Sequence, residues 1–291
     1  MTKELKRIIV ATDGSSDARL AERAAADLAT LAGAELHLVH AWMSASSPAA
    51  ARAGLPDIDL EVVRREARAI LDNEAEHIRR IGGTVTADHL RAGQPADKIV
   101  ALSQELEADL IVVGSRGLGT VGRLLARSVA EEIINEAHCP VLVVRGDDLA
   151  WPPEQILIGD DGSAEAAQTA RVAVGIGDLL GASSFLVGIL PDAPVHSRSE
   201  VTDLAQMMTG AQQILEERAV QLTGEQGVQP TAIVRIGEPA TALTAVTDEF
   251  SGPSLLAVGR RGLGRIARMR FGSVSTATLR EASCPVLIGL G

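Results

Sequence analysis

The chain is poor in cysteine and tryptophan and has no long apolar run. Its 291 residues include two cysteines, Cys139 and Cys284, which occupy equivalent places in its two halves. So few cysteines argue against a disulfide scaffold and favour the cytoplasm as the location. The apolar run Ile8–Ala11 is too short for a signal peptide, and no stretch approaches the length of a membrane span, so we expect neither. The two tryptophans, Trp42 and Trp151, are isolated and carry no stacking pattern.

Positive charge is also in short supply. The chain has 27 lysines and arginines against 38 aspartates and glutamates, which gives a net charge of −11. Because a nucleic-acid backbone and an anionic membrane both attract basic surfaces, we expect neither as the main partner. No cluster of histidines and cysteines has the spacing of a zinc site, so no metal ligands are predicted.

The chain does contain an internal repeat. Two long segments align without a gap and are identical at half of their positions, and two shorter pairs match in the same order. Such ordered matches indicate a duplicated domain. A polar stretch at 146–153 ends in Pro152 and Pro153, which continue neither a helix nor a central strand. We therefore predict two domains, 1–148 and 149–291. The matched pairs are Val113–Leu142 with Val258–Leu287, Ile8–Ser15 with Ile156–Ser163, and Gly93–Ala96 with Gly237–Ala240.

Within each copy, short apolar runs alternate with helical patterns, which is typical of a parallel sheet covered by helices. Runs such as Leu110–Val113 fit strands that are buried on both faces. Five strands and four helices per copy predict a doubly wound α/β domain. In the first copy the predicted strands are Arg7–Thr12, Glu35–Trp42, Thr84–Arg91, Leu110–Gly114 and Val141–Arg145, and the predicted helices are Ser16–Ala32, Leu60–Ile81, Pro95–Leu106 and Ser128–Ala137. The second copy repeats this order, with a polar loop at Asp192–Glu200 before a long helix near Val201–Thr223.

Two places in each copy are candidates for a ligand site. In an open α/β sheet, ligands bind outside the carboxyl ends of the strands, at the point where the strand order reverses. This rule selects Asp13 or Asp161 after the first strand, and the glycine-rich stretch that begins at Gly114 or Gly259 after the fourth. Glycines let backbone N–H groups approach a phosphate, and a helix that begins at Ser273 offers free N–H groups to an anion. The alternative for each aspartate is a cap on the first helix, because a Gly-Ser pair follows it.

The glycine pattern resembles that of the universal stress protein family in its tandem two-domain form. The second copy carries Gly259-Arg260-Arg261-Gly262, nine residues, and then Gly272-Ser273-Val274-Ser275. ATP-binding members of that family carry G-x2-G-x9-G-(S/T) after the fourth strand and an aspartate after the first. The resemblance covers nearly the whole chain. It implies a Rossmann-like, adenine-nucleotide-binding fold, ATP as the ligand with or without Mg²⁺, and two copies paired as a pseudo-dimer through their last strands. Further pairing into a homodimer is also expected.

Carried onto this sequence, the resemblance implies a contact for each part of the nucleotide. The aspartate lies near the ribose, and the backbone at the end of the second strand contacts adenine. The glycine-rich stretch and the start of the last helix surround the phosphates. In the second copy these residues are Asp161, Ile189, Gly259, Arg261, Gly262, Gly272, Ser273, Val274 and Ser275. In the first copy they are Asp13, Ala41, Gly114, Arg116, Gly117, Ser128 and Val129.

The first copy departs from the family pattern at two positions. Arg127 replaces the third glycine, and Ala130 replaces the second hydroxyl. The arginine either fills the phosphate space or reaches the phosphate as a ligand, since its guanidinium group suits that anion. Both interpretations stay open, and ATP is expected chiefly in the second copy.

The chain is therefore predicted to be an ATP-binding stress-response protein that acts as a nucleotide-dependent regulator or sensor rather than as a dedicated catalyst. No catalytic residue is assigned, because the chain lacks a Walker lysine motif and the matched motif contains no evident general base. Two alternatives belong to other classes: an enzyme that hydrolyses ATP slowly or phosphorylates itself, and a nucleotide-free scaffold that dimerises. The pattern is equally compatible with another adenine nucleotide, such as cyclic AMP.

Overall fold

Apolar strands and amphipathic helices assemble into two α/β units. The computed structural model of the chain describes residues 5–42, 59–115, 129–145, 151–192, 198–223, 228–260 and 272–290. The two units are Leu5–Arg145 and Gly146–Gly291. Every strand pairing within a unit is parallel. The predicted fold class, two α/β domains built on parallel sheets, is therefore confirmed.

The first unit alternates strands and helices along the chain. Leu110–Val113 are almost completely buried, as expected of a central parallel strand that is covered on both faces. The strands are β1 (Arg7–Ala11), β2 (Glu35–Trp42), β3 (Ala87–Ala92), β4 (Leu110–Gly114) and β5 (Val141–Val144), and the helices are α1 (Ser16–Ala32), α2 (Leu60–Arg80), α3 (Pro95–Glu105) and α4 (Val129–Glu136). Strands β2 and β4 and helix α1 have the predicted bounds.

Strand β3 begins later than predicted, at Ala87 instead of Thr84. The hydroxyl of Thr86 accepts the backbone N–H of Leu36 at 3.1 Å, while the backbone N–H of Thr86 donates to the carbonyl of Leu36 at 2.8 Å. A side chain thus takes one bond that the ladder would otherwise make. Regular pairing with β2 therefore starts at Ala87, the residue after Thr86.

The second unit repeats the order of the first. Its strands are β6 (Gln155–Gly159), β7 (Ser183–Leu190), β8 (Thr231–Ile236), β9 (Ser254–Gly259) and β10 (Val286–Gly289), and its helices are α5 (Ala164–Leu180), α6 (Arg198–Gln221), α7 (Pro239–Thr247) and α8 (Ser273–Glu281). Helix α6 begins at Arg198, so the predicted loop up to Glu200 is wrong in its last three residues. These residues are polar, and a polar first turn has no apolar period that would mark it as helix.

Both units have the same strand order, β3-β2-β1-β4-β5 in the first and β8-β7-β6-β9-β10 in the second. The chain moves outward from β1 to β3 and then crosses back to β4, so the order reverses between β1 and β4. In the second unit it reverses between β6 and β9. Right-handed crossovers put α1 and α2 on one face and α3 and α4 on the other, and helices touch within each of these pairs. The two reversal points are where a doubly wound sheet binds ligands.

Candidate functional site

Three predicted site residues of the second unit, Asp161, Ile189 and Gly259, lie at one edge of its sheet. The parallel register of β6 with β7, continued two residues past the strand end, places Asp161 level with Ile189. The register of β6 with β9 places Gly259 level with Asp160. In the first unit the same reasoning places Asp13 level with Ala41. The ribose, adenine and phosphate candidates of the second unit therefore share one crevice.

Asp161 lies in the turn that joins β6 to α5. Its Oδ1 accepts the backbone N–H of Ser163 at 3.0 Å, and the Ser163 hydroxyl in turn accepts the N–H of Ala166 at 3.0 Å. Gly162 between them has φ 86°, a left-handed conformation that favours glycine. The cap of helix α5 is therefore Ser163, and the capping alternative for Asp161 is wrong. Asp161 itself is exposed at the strand end.

The corresponding turn of the first unit has the same construction. Asp13 Oδ1 accepts the backbone N–H of Ser15 at 3.0 Å, and Ser15 caps α1 by accepting the N–H of Ala18 at 3.2 Å. Gly14 has φ 79°. The turn therefore presents an aspartate in each unit, and a serine rather than that aspartate begins the helix.

Helix α8 starts without a side-chain cap. Its N-cap residue is Gly272, whereas α1, α2, α5 and α7 are each capped by a side-chain oxygen. The Gly272 N–H donates to the carbonyl of Arg260 at 2.9 Å, which brings the helix start beside the end of β9. Ser273 is exposed and Val274 is half-buried. The first turn of α8 thus offers backbone N–H groups and a positive dipole end, and its N-cap residue has no side chain to cap them.

Ser275 has a structural bond in addition to its predicted role. Its hydroxyl donates to the carbonyl of Arg260 at 3.0 Å, and it lies 3.2 Å from the carbonyl of Gly272. The residue is 2% exposed. Its hydroxyl therefore fastens the start of α8 to the end of β9, and its contact with a phosphate stays a prediction.

The third pair of matched segments borders the predicted adenine position. The Gly237 N–H donates to the carbonyl of Leu190, at the end of β7, at 3.0 Å. In the first unit the Gly93 N–H donates to the carbonyl of Trp42, at the end of β2, at 2.9 Å. These glycines have φ 151° and 136°. They hold the loop before α7 or α3 against the strand that carries Ile189 or Ala41.

Gly114 makes the closest approach in the first unit. A Cβ at this position would lie 2.7 Å from the carbonyl carbon of Asp17, in the first turn of α1. The next residue, Ser115, donates its hydroxyl to Asp17 Oδ2 at 2.7 Å. The first glycine of the motif is therefore required for packing between β4 and α1 as well as for the predicted phosphate contact.

Several predicted site residues lie outside the described residues. Val129 begins α4, and Ala130 is buried in that helix. The residues outside the description are Arg116, Gly117, Arg127 and Ser128 in the first unit and Arg261 and Gly262 in the second.

Sequence analysis missed a charged residue behind the aspartate turn of the second unit. Arg218 of α6 donates from Nε to Asp160 Oδ2 at 2.8 Å, and its two terminal nitrogens lie 3.4 Å and 3.5 Å from the carbonyls of Gly162 and Ser163. Asp160 Oδ1 accepts the Gly162 N–H at 2.7 Å. We call Arg218 and Asp160 the second-unit clamp. Its sequence signal is an aspartate directly before Asp161, where the first copy has a threonine.

A different charged group lies behind the turn of the first unit. Arg19 of α1 donates from Nε and Nη2 to the two carboxylate oxygens of Glu74 in α2, both at 3.0 Å. Glu22, one turn after Arg19, has no exposed surface, and neither of its carboxyl oxygens makes a hydrogen bond. We call Arg19, Glu22 and Glu74 the first-unit clamp. Its sequence signal is a glutamate on the apolar stripe of α1, beside Ala18 and Ala25.

Burial controls the protonation of Glu22. Loss of hydration, reinforced by the negative charge of Glu74, raises the pKa of Glu22 to about 8, although the Thr12 hydroxyl and Arg19 act in the opposite direction. His40 of β2 is also buried, and its Nδ1 donates to the carbonyl of Thr12 at 2.7 Å. The end of β1 is therefore held by the His40 imidazole and faces a buried carboxyl group whose pKa is raised.

Comparison with known proteins identifies the family. The model of the universal stress protein family matches the chain twice, over residues 4–145 and 153–288. The chain belongs to the universal stress protein family. The universal stress protein Rv2623 of Mycobacterium tuberculosis is 30% identical over 298 residues, which cover 97% of this chain and 95% of that protein. The family predicted from the glycine motif is thus confirmed, and each unit is a universal stress domain.

Solved structures of the family agree with the fold. The crystal structure of a universal stress protein from Archaeoglobus fulgidus has a TM-score of 0.68 at 19% identity and covers 98% of this chain and 96% of its own. At that identity the likeness establishes the fold. A universal stress protein solved in complex with cAMP has 28% identity and a TM-score of 0.40, and covers 49% of this chain and 99% of its own.

Among the residues that the structure describes, no group of three or more histidine, cysteine, aspartate or glutamate side chains has a geometry that would hold a metal ion. In the same part of the chain, no helix has both the length and the apolar character needed to cross a membrane.

Proposed function

We propose that the second universal stress domain binds an adenine nucleotide, with ATP as its ligand, and that the protein acts as a cytoplasmic nucleotide-dependent regulator or sensor. One observation carries this proposal. Asp161, Ile189 and Gly259 meet at the reversal point of the sheet, next to helix α8, whose N-cap residue Gly272 has no side chain to cap the first turn.

Each part of that crevice suits one part of ATP. The exposed carboxylate of Asp161 accepts hydrogen bonds from ribose hydroxyls. The start of α8 suits phosphate, because backbone N–H groups and the helix dipole both favour an anion there. Ile189 lies at the end of its strand, where one side of the strand no longer pairs within the sheet. An adenine edge would pair with the backbone on that side. Mg²⁺ would be supplied with the phosphates, since no protein cage for it is proposed.

A regulatory role is proposed in preference to an enzymatic one. Catalysis of ATP hydrolysis requires a group that positions or activates water, within hydrogen-bond reach of the terminal phosphate. The matched motif positions are glycines, arginines, serines and a valine, and they contain no such base. The function proposed is therefore binding, with the bound nucleotide read out through conformation or assembly.

The test is to identify the nucleotide that the purified protein carries. Acid extraction followed by nucleotide chromatography should release ATP. ADP that accumulates with time would instead establish the slow ATPase, and an empty extract together with no binding of added ATP or cAMP by calorimetry would establish the scaffold. Displacement of ATP by cAMP would identify cAMP as the preferred ligand.

Two substitutions locate the site. Asp161→Ala should weaken ATP binding by about 1.5–3 kcal/mol, because a hydrogen bond to a charged acceptor is lost. Gly272→Arg should weaken it further, because it places a side chain at the helix start where Arg127 stands in the first copy. Glu281→Ala is the matched control, since this exposed carboxylate lies at the opposite end of α8. Unchanged affinity in Gly272→Arg would show that the phosphate assignment is wrong.

A further inference from the structure

In each unit, side chains at equivalent positions lie behind the turn that carries the site aspartate, Asp13 or Asp161. The charges of these side chains differ between the units. Thr12 and Asp160 each stand directly before the site aspartate. Glu74 and Arg218 occupy matching positions on α2 and α6, since each follows a buried leucine by three residues and precedes a buried alanine. Those flanking residues are Leu71 and Ala75 in the first unit and Leu215 and Ala219 in the second.

In the second unit the support is an ion pair with both partners present. The Asp160 side chain is 1% exposed and faces the guanidinium of Arg218, which also reaches two carbonyls of the turn. The guanidinium lies against the buried carboxylate, and this pairing opposes the cost of the hydration that both groups lose. The second-unit clamp therefore needs no proton to hold the turn.

In the first unit, two carboxyl groups, those of Glu22 and Glu74, lie beside one guanidinium group, that of Arg19. Glu74 is neutralised by Arg19, and a Cβ on Gly14 would lie 3.8 Å from Glu74 Oε1, so this pair adjoins the turn directly. Glu22 is buried beside the same pair without a hydrogen bond of its own. The second unit has Ala170 at the position that matches Glu22, so the extra carboxyl group belongs to the first unit alone.

Among the described residues, the groups that act on Glu22 include Arg19 as a cation and no second one. Glu74 faces it from α2, Arg19 from its own helix, and the Thr12 hydroxyl from the end of β1. His77 of α2 adjoins Glu74 and Arg19, and burial lowers the pKa of its imidazole. His40 is engaged with the Thr12 carbonyl. An ionised Glu22, which is fully buried, would therefore compete with Glu74 for the guanidinium of Arg19.

We propose that Arg218 positions the Asp161 turn of the second unit independently of pH, whereas loss of a proton from Glu22 loosens the Asp13 turn of the first unit. The physical reason is that two buried carboxylates cannot share one guanidinium as well as one carboxylate and one carboxylic acid can. The consequence for the ligand, that affinity falls with rising pH at a first site opened by Arg127→Gly and not at the second site, rests on the proposed nucleotide function. The difference between the two clamps does not depend on nucleotide binding.

Hydrogen exchange of the full chain without nucleotide tests the difference between the clamps. Exchange of residues 12–20 and 160–168 is followed by mass spectrometry from about pH 5 to about pH 9 and corrected for the intrinsic pH dependence of amide exchange. The opening constant of 12–20 should rise by up to about tenfold per pH unit and level off above about pH 8. That of 160–168 should stay constant, so the second unit is an internal control.

Glu22→Gln should abolish the pH dependence of 12–20, because the amide has nearly the same shape and cannot ionise. Glu22→Ala is a second variant with the same expectation, since the second unit folds with alanine there. Equal pH dependence of the two segments in the wild type, or a pH dependence that survives both substitutions, would overturn the proposal for the first unit.

Arg218→Met tests the second unit, with Arg171→Met as the control because Arg171 is an exposed arginine of α5. Arg218→Met should speed exchange of 160–168 and weaken ATP binding by about tenfold or more, while Arg171→Met changes neither. Arg218→Lys should restore less than half of the lost binding free energy, because it lacks the planar fork.

Faster exchange with unchanged ATP affinity would refute positioning. If the wild type binds no ATP, the proposed function fails, and the exchange results still decide between the clamps.

Discussion

Among single residues, Gly114 shows how a missing side chain sets the distance between two elements. A Cβ there would lie 2.7–2.9 Å from three backbone atoms of Asp17 and Ala18, and backbone cannot move aside as a flexible side chain can. We expect Gly114→Ala to lower the free energy of unfolding by about 1–3 kcal/mol. Urea titration followed by circular dichroism measures the change. A variant as stable as the wild type would mean that β4 and α1 lie farther apart in solution.

Glu22 is the residue at which stability should depend most on pH. Its pKa in the folded protein, about 8, exceeds its ordinary value of 4.5. As pH rises, the unfolded chain therefore loses the Glu22 proton at a lower pH than the folded protein does. The free energy of unfolding is greatest below the ordinary pKa, and it falls until the pH passes the pKa of the folded protein. The loss is on the order of 1.4 kcal/mol per pH unit within that window.

The measurement is the difference in unfolding free energy between Glu22→Gln and the wild type at several pH values. We expect the two proteins to be similar near about pH 5 and the variant to be more stable near about pH 8, because glutamine has no proton to lose. A difference that does not change with pH would show that Glu22 is ionised already in the folded state.

Among the elements, α6 contains a glycine for which the structure provides no packing reason. Gly210 lies in the interior of this 24-residue helix, and an added Cβ would meet nothing within 4 Å. Because alanine has a higher helix propensity, Gly210→Ala should stabilise the second unit by about 0.5–1 kcal/mol. Thermal or urea unfolding tests this, and its sign is opposite to that expected for Gly114→Ala. A destabilised variant would show that the helix is interrupted at this residue.

The helix starts differ in how easily sequence reveals them. Ser15 and Ser163 stand directly before helical patterns and cap them, although the sequence had offered Asp13 and Asp161 as the caps. Helix α6 has a polar first turn, so its start at Arg198 left no apolar period to detect. Strand β3 begins late for a related reason, since the hydroxyl of Thr86 replaces a backbone acceptor. Element bounds thus depend on side-chain bonds that an apolar pattern does not contain.

At the scale of the whole molecule, the sequence leaves open how many nucleotides each two-domain chain binds. Arg127 replaces the glycine that corresponds to Gly272. If the arginine obstructs the first site, Arg127→Gly should raise the number of ATP molecules bound per chain from one toward two. We expect this outcome, because Asp13 and Gly114 keep their places at the strand ends. Calorimetry on both proteins gives the stoichiometry. Two ATP molecules bound by the wild type, with weaker binding after Arg127→Gly, would make the arginine a phosphate ligand instead.

Much about this protein could be read from residues close together in the sequence. The duplicated motifs, the apolar runs and the turn Asp161-Gly162-Ser163 predicted two α/β domains, the reversal points and the family. These are local patterns, and a parallel sheet brings the carboxyl ends of its neighbouring strands to one edge whatever the loops between them contain.

The clamps were decided only by the tertiary structure. Arg218 and Asp160 are 58 residues apart, and Arg19 and Glu74 are 55 residues apart. Glu22 lies on the apolar stripe of α1, and packing of that stripe removes its carboxyl group from solvent. The charge state of a carboxyl group depends on every neighbour within a few ångströms, and those neighbours come from separate elements. Duplication preserved the shape of the aspartate turn in both domains, while the side chains packed behind it decided which of them responds to protons.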